Sequence, residues 1–157
     1  MRKLRVAIVG CGWAADLQMT RGFGLLPDLF EVYVCCSRNE EGRRTFAAKY
    51  NIERDLGSLA EVLALPEVDA VSICTPPPSH FEMIIETLRA GKHVICEKPL
   101  VGSLAHLDSV AEIEQRAAGR VMPIFQYRFG SAMPKLRKII QHKSSCQTIR
   151  QQELFLQ

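Results

Sequence analysis

The chain of 157 residues is 47% apolar and 24% charged, with a formal net charge of +3. That length holds one ordinary domain with a sizeable core, and so small a charge gives no argument for a nucleic-acid partner. No run of about 18 apolar residues suggests a membrane span.

Leu4-Arg5-Val6-Ala7-Ile8-Val9 is a short apolar run and predicts a buried strand. A helix is expected from Trp13 to about Gly22. Phe30 to Cys36 is β-branched and aromatic, hence a second strand. Asn39 to Tyr50 predicts a helix with Glu40 and Glu41 in its first turn, where the macrodipole favours acids. Ser58 to Glu61 has capping-box spacing and opens a short helix that Pro66 ends. Val68 to Cys74 is again a strand. Ser79 to Glu82 repeats the capping spacing, and its helix runs to Gly91, a natural residue just past a helix end. His93 to Cys96 is a strand. Ser103 to Ala118 is an amphipathic helix with Leu104, Leu107, Val110, Ala111 and Glu114 at helical spacing. Val121 to Phe125 closes the series as a strand.

Strands alternating with helices demand a mostly parallel sheet covered on both faces. The expected fold class is therefore α/β, a Rossmann-type doubly wound sheet. Pro123 cannot donate to a ladder, so the last strand should lie at an edge. The sixth strand does so in the order 3-2-1-4-5-6. The six cysteines, Cys11, Cys35, Cys36, Cys74, Cys96 and Cys146, form no C-x-x-C pair and no zinc spacing with histidine, so no metal is expected. Four of them sit in or at the ends of strand-like runs, where cysteine behaves as a small hydrophobe. Met1-Arg2-Lys3-Leu4 leads into the first strand without a secretory pattern, and reduced thiols in the cytoplasm are the expectation.

The turn Gly10-Cys11-Gly12-Trp13-Ala14-Ala15 follows the first strand and opens the first helix, as a dinucleotide fingerprint requires. Gly10 permits the tight turn. Gly12, with no Cβ, lets a pyrophosphate approach the backbone, and Ala15 stands where a third glycine can be replaced by alanine. The N–H groups of Trp13, Ala14 and Ala15 belong to the helix start that would face the phosphate. At the end of the second strand, where an acid usually holds the ribose of NAD, the chain reads Cys36-Ser37-Arg38-Asn39. Ser37 can bond a 2′-phosphate and Arg38 can pair with it or stack on adenine, which predicts NADP(H) in preference to NAD(H). A solvated arginine at a polar strand end is the alternative. Arg43 and Arg44 could add positive field or merely form a solvated helix face.

Thr75-Pro76 and Glu97-Lys98-Pro99 end two strands at the carboxyl edge of the sheet, where ligands bind in this fold. With "TPPPSH" followed by "GKHVICEKPL", the chain resembles the glucose–fructose oxidoreductase / inositol dehydrogenase / MocA family over about residues 4–140. The resemblance implies an NAD(P)-dependent oxidoreductase acting on sugars, cyclitols, related polyols or their keto forms. It implies that Lys98 is the catalytic lysine, meeting the reacting oxygen and stabilising charge there. Burial beside a cofactor would aid its proton transfer. Glu97 would place the nicotinamide ribose and orient Lys98, while Thr75, Pro76 and His80 would contact the nicotinamide side. His80 can also be read as an ordinary first-turn residue, and Lys98, without the resemblance, as a surface lysine. No base is placed for a Cys74 or Cys96 nucleophile.

The expected organisation is a NAD(P)-binding domain over residues 1–128, then a connecting helix and the truncated start of a second, substrate domain over 129–157. Pro134 would begin the helix, with Met133, Leu136, Ile139 and Ile140 on its apolar face, and Thr148 to Gln157 would form one strand. Two readings remain. One is the cofactor domain of an oxidoreductase with a sugar- or polyol-like substrate, inactive alone. The other is a non-catalytic NADP-binding or interaction module. Unpartnered apolar surface on that helix and on Leu154-Phe155-Leu156 predicts a homo-oligomer.

Overall fold

The computed structural model describes residues 2–142. Its sheet has six strands in the order β3-β2-β1-β4-β5-β6, and every paired neighbour runs parallel. The strands are β1 (Leu4–Val9), β2 (Phe30–Cys36), β3 (Arg54–Leu56), β4 (Ala70–Ile73), β5 (His93–Cys96) and β6 (Val121–Pro123). The helices are α1 (Trp13–Arg21), α2 (Glu40–Tyr50), α3 (Leu59–Leu63), α4 (His80–Arg89), α5 (Leu104–Arg116) and α6 (Ala132–His142).

Successive side chains of a strand point to opposite faces, and both faces here are apolar. Ala7, Val9, Val71 and Ile73 pack with Leu59 and Val62 of α3, Ile84 and Leu88 of α4, and Val110 of α5. Ile8, Cys35 and Cys74 pack on the other face with Ala15 of α1 and with Phe46 and Ala47 of α2. Two-sided burial explains why β1 and β4 read as apolar runs rather than as alternating patterns. It establishes the doubly wound α/β fold. Asp16 of α1 accepts bonds from the Tyr50 hydroxyl (2.6 Å) and from Lys49 Nζ (2.9 Å), which fastens α1 to the end of α2.

Several local expectations are corrected. β3 is an added strand. Its three residues begin with the charged pair Arg54-Asp55 and are too short to show a period, but they pair with Val34 to Cys36 of β2. The Ser58–Glu61 capping box forms, whereas the one at Ser79–Glu82 does not. Pro77–Ser79 is a single 3-10 turn running into α4, so Ser79 already has helical dihedrals. Its hydroxyl donates instead to Thr75 Oγ1 (2.8 Å) and to the Pro76 carbonyl (2.9 Å). In α5, Val110 is buried but Leu104 and Leu107 are 78% and 42% exposed, so its apolar face reaches the core only from its second turn onward. β6 is the edge strand expected from Pro123, although it ends at that residue.

The segment Gly91-Lys92-His93 has a mechanical basis. Gly91 takes φ +73° just past α4, a conformation glycine adopts without strain. Lys92 is buried at the amino end of the sheet. Its Nζ donates to the carbonyls of Leu65 (2.7 Å) and Val68 (2.8 Å), closing the turn between α3 and β4. Desolvation lowers its pKa, and the nearby Asp69 and Glu67 oppose that shift. His93 Nδ1 accepts from the Arg120 N–H (3.2 Å) on the way into β6.

Residues from Phe125 onward form a second compact unit, described here to residue 142. It holds a 3-10 turn, Gln126–Phe129, and α6. α6 starts at Ala132, ahead of Pro134, which falls in the first turn. Proline is tolerated there because first-turn N–H groups have no acceptor within the helix. Cys146 and the strand expected from Thr148 to Gln157 lie outside the described residues.

Lys92→Met keeps the aliphatic stem and leaves two carbonyls without their donor. It should lower the unfolding free energy by about 1–3 kcal/mol. Urea denaturation checks this, and an unchanged midpoint would show that water replaces the ammonium group.

Candidate functional site

The carboxyl ends of β1 and β4 meet at Gly10. Its N–H donates to the Cys36 carbonyl (2.8 Å), while the Cys74 N–H donates to the Val9 carbonyl (2.7 Å). Gly10 has φ +95°, and a Cβ there would lie 2.9 Å from the Cys74 carbonyl group and the Thr75 nitrogen. No other residue fits without moving a backbone. This contact marks the point where the chain order reverses, β1 having β2 on one side and β4 on the other.

A cleft of about 890 Å³ opens over this point. Gly10 and Gly12 form its floor, Ser37 and Arg38 stand at one end, and Thr75 and Pro76 at the other. A Cβ on Gly12 would meet nothing within 4 Å, so its bare backbone faces open space. Among the described residues no side chain caps the N-terminus of α1, which leaves its first-turn N–H groups for an anion. Ala15 is fully buried against Ile8 and Cys35, so a small residue is needed there for the helix to lie close to the sheet. Ala14 is half-buried, and Trp13 is 75% exposed at the mouth of the turn. These features fit a dinucleotide pyrophosphate.

The far end is electropositive in one place. Arg43 pairs with Asp55 (2.6 Å), and Arg44 pairs with Glu40 (2.6 Å). Among the described residues Arg38 forms no ion pair, and it is exposed beside Ser37. Asn39 is turned to structure, its Oδ1 accepting the Gly42 N–H (3.1 Å) to cap α2. Among the described residues no carboxylate lines this end of the cleft.

Thr75 and Pro76 follow β4, and Glu97 follows β5. The Glu97 N–H donates to the Ile73 carbonyl (3.0 Å), so the ladder continues one residue past the strand. Glu97 is half-buried. Lys98 and Pro99 are exposed and joined by a cis peptide bond. Glu97 and Lys98 stand beside the cleft rather than in its wall. The described residues leave Lys98 unburied, so its expected desolvation is not supplied by this domain.

His80 requires a correction. Its ring is fully buried, with Nδ1 2.9 Å from the Pro99 carbonyl and Nε2 2.8 Å from the Thr75 carbonyl. Both ring nitrogens are occupied, and no ring edge is left for a nicotinamide. His80 instead ties the loop after β4 to the loop after β5. Sequence reasoning also passed over Gln18 and Ser72. Gln18 Nε2 donates to Glu97 Oε1 (3.1 Å), and the Ser72 hydroxyl donates to Gln18 Oε1. The available signal was a serine inside the otherwise apolar strand Ala70–Ile73.

The thiols near the site are poor nucleophiles. Burial pushes Cys36 up to about 11, and Cys74 and Cys96 up to about 12. Cys11, whose Sγ donates to the Cys36 carbonyl, is pushed up by the neighbouring Cys35 thiol and by burial. Among the described residues no three His, Cys, Asp or Glu side chains gather as a metal site.

The two glycines of the turn should respond differently. Gly10→Ala strains a positive φ and forces apart two backbones, lowering stability by about 1–3 kcal/mol. Gly12→Ala, with room for its Cβ and φ −104°, should leave the melting temperature nearly unchanged while blocking the approach of a phosphate. Thermal melts combined with dinucleotide titration separate the two effects. Equal loss of stability in both variants would contradict this account.

The family model for an oxidoreductase family with an NAD-binding Rossmann fold matches residues 4–125. Myo-inositol 2-dehydrogenase of Thermotoga maritima is 27% identical over 88% of this chain and 41% of its own length. The scyllo-inositol 2-dehydrogenase (NADP(+)) IolU of Bacillus subtilis is 26% identical over 94% of this chain and 43% of its own length. The crystal structure of the WlbA dehydrogenase from Bordetella pertussis, in complex with NADH and UDP-GlcNAcA, superposes with a TM-score of 0.83. It is 27% identical and covers 89% of this chain and 42% of that one. The chain thus spans about two fifths of the length of these relatives. A glycine turn at the switch point of a parallel sheet, and a sequence match running through all six strands, lead to one assignment: the chain belongs to the glucose–fructose oxidoreductase / inositol dehydrogenase / MocA family, as its NAD(P)-binding Rossmann domain.

Proposed function

We propose that the chain is the cofactor domain of an oxidoreductase that uses NADP(H) in preference to NAD(H) and acts on a sugar, a cyclitol or a related hydroxy or keto compound. The observation that carries this reading is the continuous path from Arg38, over the bare backbone of Gly10 and Gly12, to Thr75 and the neighbouring Glu97-Lys98. Trp13, Ala14 and Ala15 supply first-turn N–H groups to the pyrophosphate. Ser37 and Arg38 take the 2′-phosphate, and Thr75 and Pro76 flank the nicotinamide side. A nicotinamide held there would supply hydride-transfer chemistry at a carbon of the substrate. Lys98 holds the oxygen on that carbon and stabilises the charge that develops there. Glu97 orients Lys98 and the nicotinamide ribose.

The substrate class rests on the relatives, two of which are named for inositols and one of which holds a nucleotide sugar. Hydride transfer also needs the substrate held close in a water-poor pocket. Lys98 is exposed in this chain, so the chain by itself binds the cofactor without appreciable turnover. The second reading, a binding module with no catalytic step, is favoured by the same exposure of Lys98. The domains are read as 1–128 for the cofactor and 129–157 as connecting helix and start of a substrate domain. Exposed Leu136 on α6 supports self-association, and the free thiols Cys11, Cys35, Cys36, Cys74 and Cys96 suit a reducing cytoplasm. Among the described residues no helix is long and apolar enough to cross a membrane.

Cofactor preference is read by titrating NADPH and NADH against the fluorescence of Trp13, the single tryptophan. NADPH should bind more tightly. Arg38→Ala should weaken NADPH by about 1–3 kcal/mol, as expected for a lost charge-assisted bond, and barely touch NADH. Equal affinities in the wild type would remove the role of Ser37 and Arg38.

A panel of sugars and cyclitols, with NADPH oxidation or NADP+ reduction as readout, tests the division of labour. The chain alone should bind cofactor, show negligible turnover and scatter light as an oligomer. Turnover abolished by Lys98→Ala would make this chain a complete catalyst, and a monodisperse monomer would end the association claim.

A further inference from the structure

Ser72 lies in the middle of β4, fully buried, on the face that packs against α1. A hydroxyl in a central strand is costly unless it is bonded. Here it donates to Gln18 Oε1, on the second turn of α1. The other end of the same carboxamide, Nε2, donates to Glu97 Oε1 at 3.1 Å. Side chains alternate along a strand, so Ser72 and Cys74 of the β4 segment and Ile95 and Glu97 of the β5 segment share this face, with Ser72 opposite Ile95 in the register. Gln18 bridges from the helix to both segments.

The direction of this relay is chemically determined. A carboxylate only accepts, so the amide must present its NH2 group to Glu97. That leaves Oε1 for Ser72, which has a proton to give. The flipped amide would set oxygen against oxygen at Glu97. A helix needing only to pack on the sheet would be served by leucine or methionine here. The remaining consequence of a carboxamide is control of a half-buried carboxylate next to Lys98, at the edge where ligands bind in this fold.

We propose that Gln18 is a positioning residue for Glu97, its carboxamide oriented by Ser72 and in turn fixing the carboxylate that precedes Lys98. This rests on the reading of Glu97 and Lys98 as the nicotinamide end of the site.

The test uses the 157-residue chain and two probes in calorimetric titrations. NADP+ spans the whole site, and adenosine 2′,5′-bisphosphate occupies only the Arg38 end. Gln18→Leu removes both bonds. Gln18→Glu keeps an acceptor for Ser72 and the shape of the side chain but loses the donor to Glu97, so it separates positioning from packing if the leucine variant fails to fold. Either variant should weaken NADP+ about tenfold and change the bisphosphate by less than about twofold. In a Glu97→Ala background the same substitutions should cost nothing further, because the carboxylate they act through is gone. Equal loss for both probes, no loss for NADP+, or an undiminished loss in the Glu97→Ala background would each overturn the proposal. If the wild-type chain binds neither probe, the cofactor-domain reading itself fails and this inference falls with it. If it binds the bisphosphate but not NADP+, only the nicotinamide-side reading and the role of Gln18 fall.

Discussion

One close backbone contact governs the site. At Gly10 the chain leaving β1 touches the chain leaving β4, with the carbonyl group of Cys74 and the nitrogen of Thr75 where a side chain would otherwise stand. The contact is possible only for a residue with no Cβ at φ +95°. It brings two strand ends together at the place where the sheet order reverses, and the next residues must then separate. The chain from β1 turns into α1, and the chain from β4 runs through Thr75-Pro76 into α4. The cleft is the gap left by that divergence, and its floor is backbone rather than side chain.

The walls are held by bonds that sit behind the cleft. His80 bridges the carbonyls of Thr75 and Pro99, so the loops after β4 and β5 are set as one piece. Gln18 links α1 to the Glu97 carboxylate, and Asp16, two residues earlier on the same helix, holds α2 through Tyr50 and Lys49. The helix that begins at the glycine turn is therefore tied to both ends of the site. Charge is arranged with the same economy. Asp55 neutralises Arg43 and Glu40 pairs with Arg44, which leaves Arg38 as the arginine at the cleft without an ion pair among the described residues.

The parts of this arrangement that were legible in advance share a property: each follows from neighbours in sequence. The strand Leu4–Val9, the glycine turn and the helix behind it are contiguous, and their order predicts their geometry. Ser58 caps α3 through Glu61, three residues away. The features that were missed depend on distant partners. Ser79 has the residues of a capping box, but the prolines before it impose a 3-10 turn and Thr75 claims its hydroxyl. Leu104 and Leu107 carry the helical period, yet α5 meets the sheet only near Val110. β3 has no pattern of its own and exists because β2 offers it an edge. His80 reads as a ligand contact until the carbonyl of Pro99, nineteen residues on, is seen beneath it.

The sequence by itself determined the α/β class, the parallel sheet order, the glycine turn and the strand ends that carry Thr75 and Glu97-Lys98. Periodicity, glycine placement and chain order are local quantities, and a doubly wound sheet is the way to bury strands that are apolar on both faces. Only the tertiary structure decided which polar side chains face the site and which brace it from behind. A hydrogen bond between Gln18 and Glu97, or between His80 and Pro99, joins groups whose distance is set by strand register and helix packing. Neither of those is written in the residues that flank them.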